Sequence, residues 1–234
     1  MRKLAFALLA GVAFGAVTTA YASDLPARMP SKAVAPIYAP IPFTWTGFYV
    51  GANAGWGWGN GDGTVSIGGA TGPVSGSGQG FLGGVQAGYN YQMGSIVVGL
   101  ETDFQGSTGK GDLNFAAGGV TGTGTGKTPW FGTVRGRLGY AIDRSLIYVT
   151  GGGLYAKSTL DGTLSTTGPF SSSATGWTWT AGAGVETMLW DRWSGKLEYL
   201  YAGTGSNVPT APGVTAVSGH AHTNILRAGL NYHF

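Results

Sequence analysis

From residue 43 onward the chain alternates between apolar and polar or small side chains, in one segment after another, until it ends at Phe234. In the segment WTGFYVGANAGWGWG, apolar side chains occupy every second position from Phe48 to Trp58. Residues two apart share one face of a β-strand, whereas an α-helix repeats about every 3.6 residues. No segment shows convincing helical periodicity, so the pattern predicts an all-β fold.

The connections between the alternating segments are long and short in turn. Long connections rich in Gly, Ser and Thr cover residues 59–78, 107–127, 159–173 and 204–219, and short ones lie around Gly94, at 142–144 and at 190–193. Bacterial outer-membrane barrels have an even number of strands, short periplasmic turns and longer extracellular loops. We therefore predict an eight-stranded antiparallel up-and-down transmembrane β-barrel over residues 43–234.

The first 42 residues do not follow this pattern. Arg2 and Lys3 precede an apolar stretch, and the small-residue site Ala20-Tyr21-Ala22 follows it, as in a secretory signal peptide. The alternative, a membrane-anchoring helix, needs about 20 apolar residues, and this stretch is shorter. We expect residues 1–22 to be a signal peptide and residues 23–42, which contain five prolines, to be an extended periplasmic tail.

The charge content favours a surface that faces lipid. Charged residues make up 10% of the chain, against about 25% in soluble domains. Without Arg2 and Lys3 the chain has 11 basic and 10 acidic residues, and it has no basic cluster interleaved with aromatics, which argues against nucleic-acid binding. Because cysteine is absent, disulfides and thiolate metal sites are excluded.

Alternation alone does not say whether the apolar face points outward, as in a membrane barrel, or inward, as in a lipocalin-like barrel. Aromatic residues fall at both ends of the strands, which is typical of the two aromatic girdles at the membrane interfaces. The tryptophans assigned to these girdles are Trp45, Trp56, Trp58, Trp130, Trp177, Trp179, Trp190 and Trp193.

The polar face carries few charges, of both signs, which suits a narrow lumen in which opposite charges pair. The predicted lumen charge network comprises Glu101, Asp103, Arg135, Arg137, Lys157, Glu186, Lys196, Glu198 and Arg227. Both faces of the segment SLIYVTGGGLYAK (145–157) are apolar, and we place Leu146, Tyr148 and Leu154 outward because this sends Lys157 to the polar face.

Several stretches resemble a known family: SDLP, WTGFYVGANAGWGWG, VRGRLGYAIDRSLIYVTGG, WSGKLEYLYAG and the final RAGLNYHF. They are similar to the small outer-membrane β-barrel proteins of alphaproteobacteria, described as porin-family or opacity-like surface antigens and related in fold to OmpA and OmpX. The resemblance implies insertion by the barrel assembly machinery. It also implies that a C-terminal assembly signal is formed by Leu226, Ala228, Leu230, Tyr232 and Phe234.

No constellation for catalysis is evident, and the carboxylates are better explained as lumen ion pairs. His220 and His222, two residues apart, are candidate haem or metal ligands, although no carboxylate or cysteine accompanies them. Eight strands leave an interior that side chains can just fill. We therefore expect a non-enzymatic surface protein of the bacterial outer membrane, without a cofactor. It would have a charge-plugged lumen, a structural or interaction role, contact with membrane lipid, and contact with extracellular ligands through its loops. The alternatives are a narrow porin and a haem-binding protein.

Overall fold

The computed structural model describes residues 43–166, 168–203 and 213–234. The expected signal peptide (1–22) and proline-rich tail (23–42) lie outside the described residues, as does the segment 204–212. In the part of the chain that is described, no helix is long and apolar enough to cross a membrane.

The described residues form one antiparallel sheet of nine strands. The strands are β1 (Gly47–Ile67), β2 (Ala70–Met93), β3 (Ile96–Ser107), β4 (Lys110–Ala117), β5 (Val120–Ile142), β6 (Ser145–Leu164), β7 (Gly168–Trp190), β8 (Trp193–Ala202) and β9 (Val214–His233). Strand β1 pairs with both β2 and β9, so the hydrogen-bonded sheet closes on itself. Closure leaves the membrane-spanning part without an unpaired edge, which a bilayer requires.

The ninth strand, β4, lies in the segment 107–127 that the sequence predicted as a long connection. Strands β3 and β4 follow each other in the same place, and each pairs with β2 on one side and with β5 on the other. The interruption at 108–109 lies opposite a shift of register in β5 between Lys127 and Trp130, where β5 carries an extra residue. The ring therefore has eight strand positions, with one of them filled by two consecutive strands.

The prediction of long irregular loops is wrong for the described residues. Strands β1 and β2 stay paired until Ile67 meets Ala70, and the turn between them contains only Gly68 and Gly69, whose φ values are 56° and 86°. Residues 110–117 and 120–127 form a similar hairpin. The Gly, Ser and Thr content resembled that of a flexible linker, but these segments keep the two-residue period, and neighbouring strands complete their backbone hydrogen bonds. Part of the fourth long connection, 204–212, lies outside the described residues.

The short connections are confirmed as two-residue turns. They join β2 to β3, β5 to β6 and β7 to β8. Each begins with a residue of positive φ: Gly94 at 62°, Asp143 at 50° and Asp191 at 34°. Glycine and aspartate tolerate this left-handed conformation better than most residues do, which explains where the strands turn.

The large apolar side chains face outward, and the charged side chains face inward. Phe48, Phe81 and Leu100 are 66–68% exposed, whereas Arg135 and Glu186 are at most 1% exposed. This arrangement is the reverse of a lipocalin-like barrel and confirms the membrane arrangement. The strands of the β1–β2 hairpin have 21 and 24 residues, about twice the 9–11 needed to span a bilayer, so the hairpins on this side project beyond it.

The predicted facing of β6 is wrong. Leu146, Tyr148 and Leu154 are buried in the interior, and Ile147 and Val149 are exposed on the outer face. Both faces of this strand are apolar, so the alternation could not decide between them. Inside the barrel, Leu146 and Tyr148 pack in an apolar cluster near one end of the interior, and Leu154 packs in a second cluster near the other end.

Candidate functional site in the barrel interior

The interior is filled in three layers along the barrel. At the turn end, an apolar cluster contains Trp45, Val97, Ala141, Leu146, Tyr148 and Met188. At the end that leads into the long hairpins, a second apolar cluster contains Leu82, Phe131, Leu154, Leu200, Ala202 and Ile225. Charged and polar side chains occupy the layer between them, so the charges are enclosed by apolar packing at both ends.

The middle layer contains four acidic and four basic residues, none more than 5% exposed. They are Glu101, Asp103, Glu186, Glu198, Arg135, Arg137, Lys196 and Arg227. Their formal charges cancel. We call these eight residues the lumen cluster.

Two arginines and a lysine hold three of the carboxylates. Arg135 pairs with Glu101, with Asp103 at 3.0 Å and with Glu198 at 3.1 Å. Arg227 lies 2.9 Å from Asp103 and 2.5 Å from Glu198. Lys196 donates to both oxygens of Glu101 at 2.9 Å. Each of these carboxylates therefore contacts more than one cation, so the three acids and three bases form a connected network.

Glu186 forms the second part of the lumen cluster. It pairs with Arg137 and accepts hydrogen bonds from Ser194 Oγ at 2.5 Å and from Asn231 Nδ2 at 2.7 Å. The guanidinium carbon of Arg137 lies 3.6 Å from the centroid of the Tyr148 ring, which adds a cation–π contact. Because the ring belongs to the turn-side apolar cluster, Arg137 joins the charged layer to that cluster.

Uncharged side chains extend the network along the wall. Tyr49 donates its hydroxyl to Glu101 Oε2 at 2.7 Å, and Gln86 Nε2 donates to Asn231 Oδ1 at 2.5 Å. His233 contacts Ser194 at 2.9 Å. Sequence reasoning did not assign Tyr49, Ser194 or His233 to this network. The signal was present for Ser194 and His233, because each lies an even number of residues from a charged member on its own strand, Lys196 and Arg227 respectively. Strand β1 carries no charged member of the cluster, so no such spacing indicated Tyr49.

Two inward-facing glycines give the large side chains their space. A Cβ atom at Gly88 would lie 2.4 Å from the Tyr49 hydroxyl, and one at Gly184 would lie 2.6 Å from the Tyr148 hydroxyl. The two tyrosine rings therefore lie directly over glycine backbone on the neighbouring strands. A larger residue at either position would push a tyrosine out of the network.

The energetic consequence is that the members of the lumen cluster depend on one another. Moving a charge out of water costs several kcal/mol per ion, and only well-placed partners offset that cost. Removal of one member would leave its partners buried with one counter-charge fewer. The interior is therefore charged and buried, and the buried charges are held in place by one another.

Two predicted site residues lie elsewhere. Lys157 is not in the lumen: it lies on the same side of β6 as Ile147 and Val149, opposite Trp130 of β5, and it is half-buried. The assumption that Lys157 belongs to the polar face is what led to the wrong facing of β6. Trp45 is not in the outer girdle: it is 1% exposed, and its ring lies 5.6 Å from that of His233 inside the turn end. Trp45 precedes β1, where strand alternation does not apply.

The other tryptophans assigned to the girdles have their side chains on the outer face. At the loop end, rings of Phe104, Trp130, Tyr155 and Trp177 follow one another on adjacent strands with centroid separations of 5.1–5.8 Å. Trp56 contacts Phe81 there, and Trp179 contacts Tyr201. At the turn end, Trp190 and Trp193 are exposed, and Trp193 contacts Tyr232. Trp58 is 39% exposed.

The candidate ligands His220 and His222 share one face of β9, as their spacing predicts, but this face is the outer one. The ring of His222 stacks on Tyr201 with centroids 5.8 Å apart. Among the residues that the structure describes, no group of three or more His, Cys, Asp or Glu side chains is placed to hold a metal ion.

The C-terminal residues form an apolar stripe on the outside of β9. Leu226, Leu230 and Phe234 are 38–68% exposed, Ala228 is exposed beside them, and Tyr232 is partly exposed. The Phe234 amide donates to the Phe48 carbonyl at 3.0 Å, so the last residue is hydrogen-bonded to the first strand. A role of this stripe in assembly stays a prediction.

The chain is similar to known outer-membrane proteins. The chain is 37% identical over 245 aligned positions to the 31 kDa outer-membrane immunogenic protein of Brucella melitensis, covering 97% of this chain and 98% of the relative. It is 35% identical to the 22 kDa outer membrane protein of Rhizobium leguminosarum over 68% of this chain and 64% of the relative. Among solved structures, the outer membrane protein OprG of Pseudomonas aeruginosa is similar, with a TM-score of 0.49, 14% identity, and coverage of 81% of this chain and 97% of OprG.

The model of the outer membrane protein beta-barrel domain family matches residues 34–234. This range includes every strand, the lumen cluster and the C-terminal stripe. The closed sheet and the outward apolar face are what a protein of the bacterial outer membrane needs. The chain therefore belongs to the outer membrane protein beta-barrel domain family.

Proposed function

We propose that this protein is a sealed outer-membrane barrel with a structural and interaction role, rather than a channel or an enzyme. The observation that carries the proposal is the lumen cluster, whose eight charged side chains are at most 5% exposed. Apolar clusters close both ends of that layer. A solute would have to break several buried ion pairs to pass, and each broken pair would leave a costly unpaired charge.

The role in interaction is supported by the hairpins that extend beyond the membrane. They are paired strands with turns of two glycines at Gly68–Gly69 and Gly118–Gly119, so they form ordered surfaces on the cell exterior. The relatives from Brucella are named immunogenic proteins. We propose that the hairpins of this chain are likewise accessible to large molecules outside the cell and contribute contacts there.

Single-channel recording in planar bilayers tests the sealed lumen. The wild-type protein is expected to give no discrete conductance steps. A variant that combines Arg135→Gly and Arg227→Gly with Tyr148→Gly and Leu200→Gly removes two central cations and one large side chain from each apolar cluster. It is expected to conduct, and the heat-dependent gel shift shows that it is folded. The matched control, Arg144→Gly and Arg192→Gly, changes the same residue type in the exposed turns and should remain silent. Conductance steps from the wild-type protein would refute the proposal.

A further inference from the structure

Three lysines gather on one part of the outer face, just beyond the loop-side aromatic rings. Lys110 on β4 is the direct partner of Lys127 on β5. Lys127 is in turn the partner of Thr159, which lies two residues from Lys157 on β6. Among the described residues, these three are all the lysines and arginines that the loop side presents on its outer face. We call them the lysine patch.

A β-bulge places Lys127 in this patch. Lys127 and Trp130 are three residues apart, so a regular strand would send them to opposite faces. The register of β5 shifts between them, and both side chains then lie on the outer face. Bulges redirect side chains in this way and are common where a strand has a specific task.

The patch lies at a defined height. Lys157 is two residues beyond Tyr155 and is the direct partner of Trp130. Tyr155 and Trp130 belong to the row of rings that lies at the interface between hydrocarbon and headgroups. One residue pair is about 7 Å along a strand, so the lysines lie at the level of the headgroups on the exterior side.

The acidic residues near the lysine patch lie farther from the aromatic rings than the lysines do. Asp161 lies 3.0 Å from Lys127, and the two side chains are 42% and 46% exposed. Hydrogen bonds from Ser171 and Lys127 lower the pKa of Asp161, so it is ionised at neutral pH. Asp112 lies two residues beyond Lys110. Both carboxylates are farther from the rings than the lysines, so the headgroup level keeps an excess of positive charge.

Lys110 and Lys127 lie directly opposite each other on paired strands, and this arrangement favours binding of an anion. Like charges at paired positions on adjacent strands destabilise a sheet. Asp161 contacts Lys127 but not Lys110, and an exposed pair of this kind contributes little. A multiply charged anion bridging the two ammonium groups would remove the repulsion.

We propose that Lys110, Lys127 and Lys157 form a binding site for the phosphate groups of a phosphorylated lipid headgroup in the outer leaflet. The row of rings contacts the acyl chains beneath the headgroup, and the ammonium groups bind its phosphates from the side. The site is independent of the lumen cluster and does not require the sealed interior.

Titration of the detergent-folded protein with diphosphoryl and monophosphoryl lipid A, followed by native mass spectrometry, tests the site. The diphosphoryl form is expected to bind more tightly. Each Lys→Gln change is expected to weaken binding on the order of fivefold, and all three together on the order of a hundredfold. Changing all three to Arg is expected to retain binding, and Asp161→Asn, which removes the competing carboxylate, is expected to tighten it.

The matched control is Arg144→Gln with Arg192→Gln, which removes two exposed cations from the turn side. It should bind as the wild-type protein does, and the heat-dependent shift in gel mobility should show that every variant is folded. Unchanged affinity of the triple Lys→Gln variant would overturn the site, as would an equal loss in the turn-side control. Inorganic phosphate competing as well as the lipid does would overturn the assignment to a lipid.

Discussion

Arg135 on β5 donates from Nη1 to Oε1 of Glu198 on β8 at 3.1 Å, although β6 and β7 lie between these strands in the sheet. The contact therefore crosses the barrel interior instead of following its wall. Glu198 also binds Arg227 from the neighbouring strand β9. The lumen cluster thus ties distant parts of the wall together, and it does so with side chains that are almost entirely buried.

Loss of Arg135 should therefore destabilise the barrel strongly. In the variant Arg135→Met, Glu101, Asp103 and Glu198 each lose a partner, and removal of one member of a buried pair costs about 3–5 kcal/mol. The free energy of unfolding in urea, measured in lipid vesicles, tests this loss of stability. The control Arg144→Met, in an exposed turn, should change it by less than about 0.5 kcal/mol. Equal stabilities of the two variants would show that the cluster is not needed for stability.

Glu186 and Arg137 should show strong energetic coupling. Glu186→Leu leaves Arg137 without its close ion pair, and Arg137→Met does the same to Glu186. The double variant replaces both charges by apolar groups, which often restores much of the lost stability. A double-mutant cycle on unfolding free energies should give a coupling of at least about 1 kcal/mol. Strict additivity would mean that the two residues act independently.

The glycine beneath Tyr148 should resist substitution. In Gly184→Ala the new methyl group would meet the tyrosine ring at 2.6 Å, and overpacking of this kind costs about 1–3 kcal/mol. Gly136→Ala is the matched control, because the nearest atom to its Cβ is 3.8 Å away, on the outer face. The thermal unfolding temperature of Gly184→Ala should be lower than that of Gly136→Ala. A control as unstable as Gly184→Ala would point to backbone flexibility rather than to ring packing.

Deletion of Phe234 should impair insertion into the outer membrane far more than deletion of Gly119 from a hairpin tip. The deletion removes an exposed interface ring and the hydrogen bond to Phe48. Fractionation of cells and the heat-dependent gel shift measure insertion. Phe234→Ala keeps the backbone bond and so separates the role of the ring from that of the bond. Equal insertion of both deletion variants would refute the prediction.

Single cysteines should report which rim faces the exterior, since the chain has none of its own. Thr121→Cys lies on an extended hairpin, and Ser95→Cys lies in a tight turn; both positions are exposed. A membrane-impermeant maleimide should label the first in intact cells and the second only after lysis. Labelling of Ser95→Cys in intact cells would reverse the orientation.

The sequence by itself determined the all-β class, the positions of the short turns and the side of each strand that faces lipid, wherever one face was clearly more apolar than the other. The two-residue period fixes the face of Phe48 or Arg135 without knowledge of any partner strand. It could not orient β6, where both faces are apolar, and the assumption that Lys157 faces the lumen selected the wrong facing. It also could not distinguish a glycine-rich loop from a glycine-rich hairpin, because that depends on whether a neighbouring strand supplies hydrogen-bond partners.

Only the tertiary structure decided which charges pair and what lies above and below them. Glu198 is far from Arg135 in sequence, and their contact depends on closure of the sheet, which brings β5 and β8 to opposite sides of one narrow space. The two apolar clusters, the burial of Trp45 and the lysine patch have the same origin. Local alternation specifies a direction for each side chain, whereas register, closure and the β-bulges determine which side chains meet.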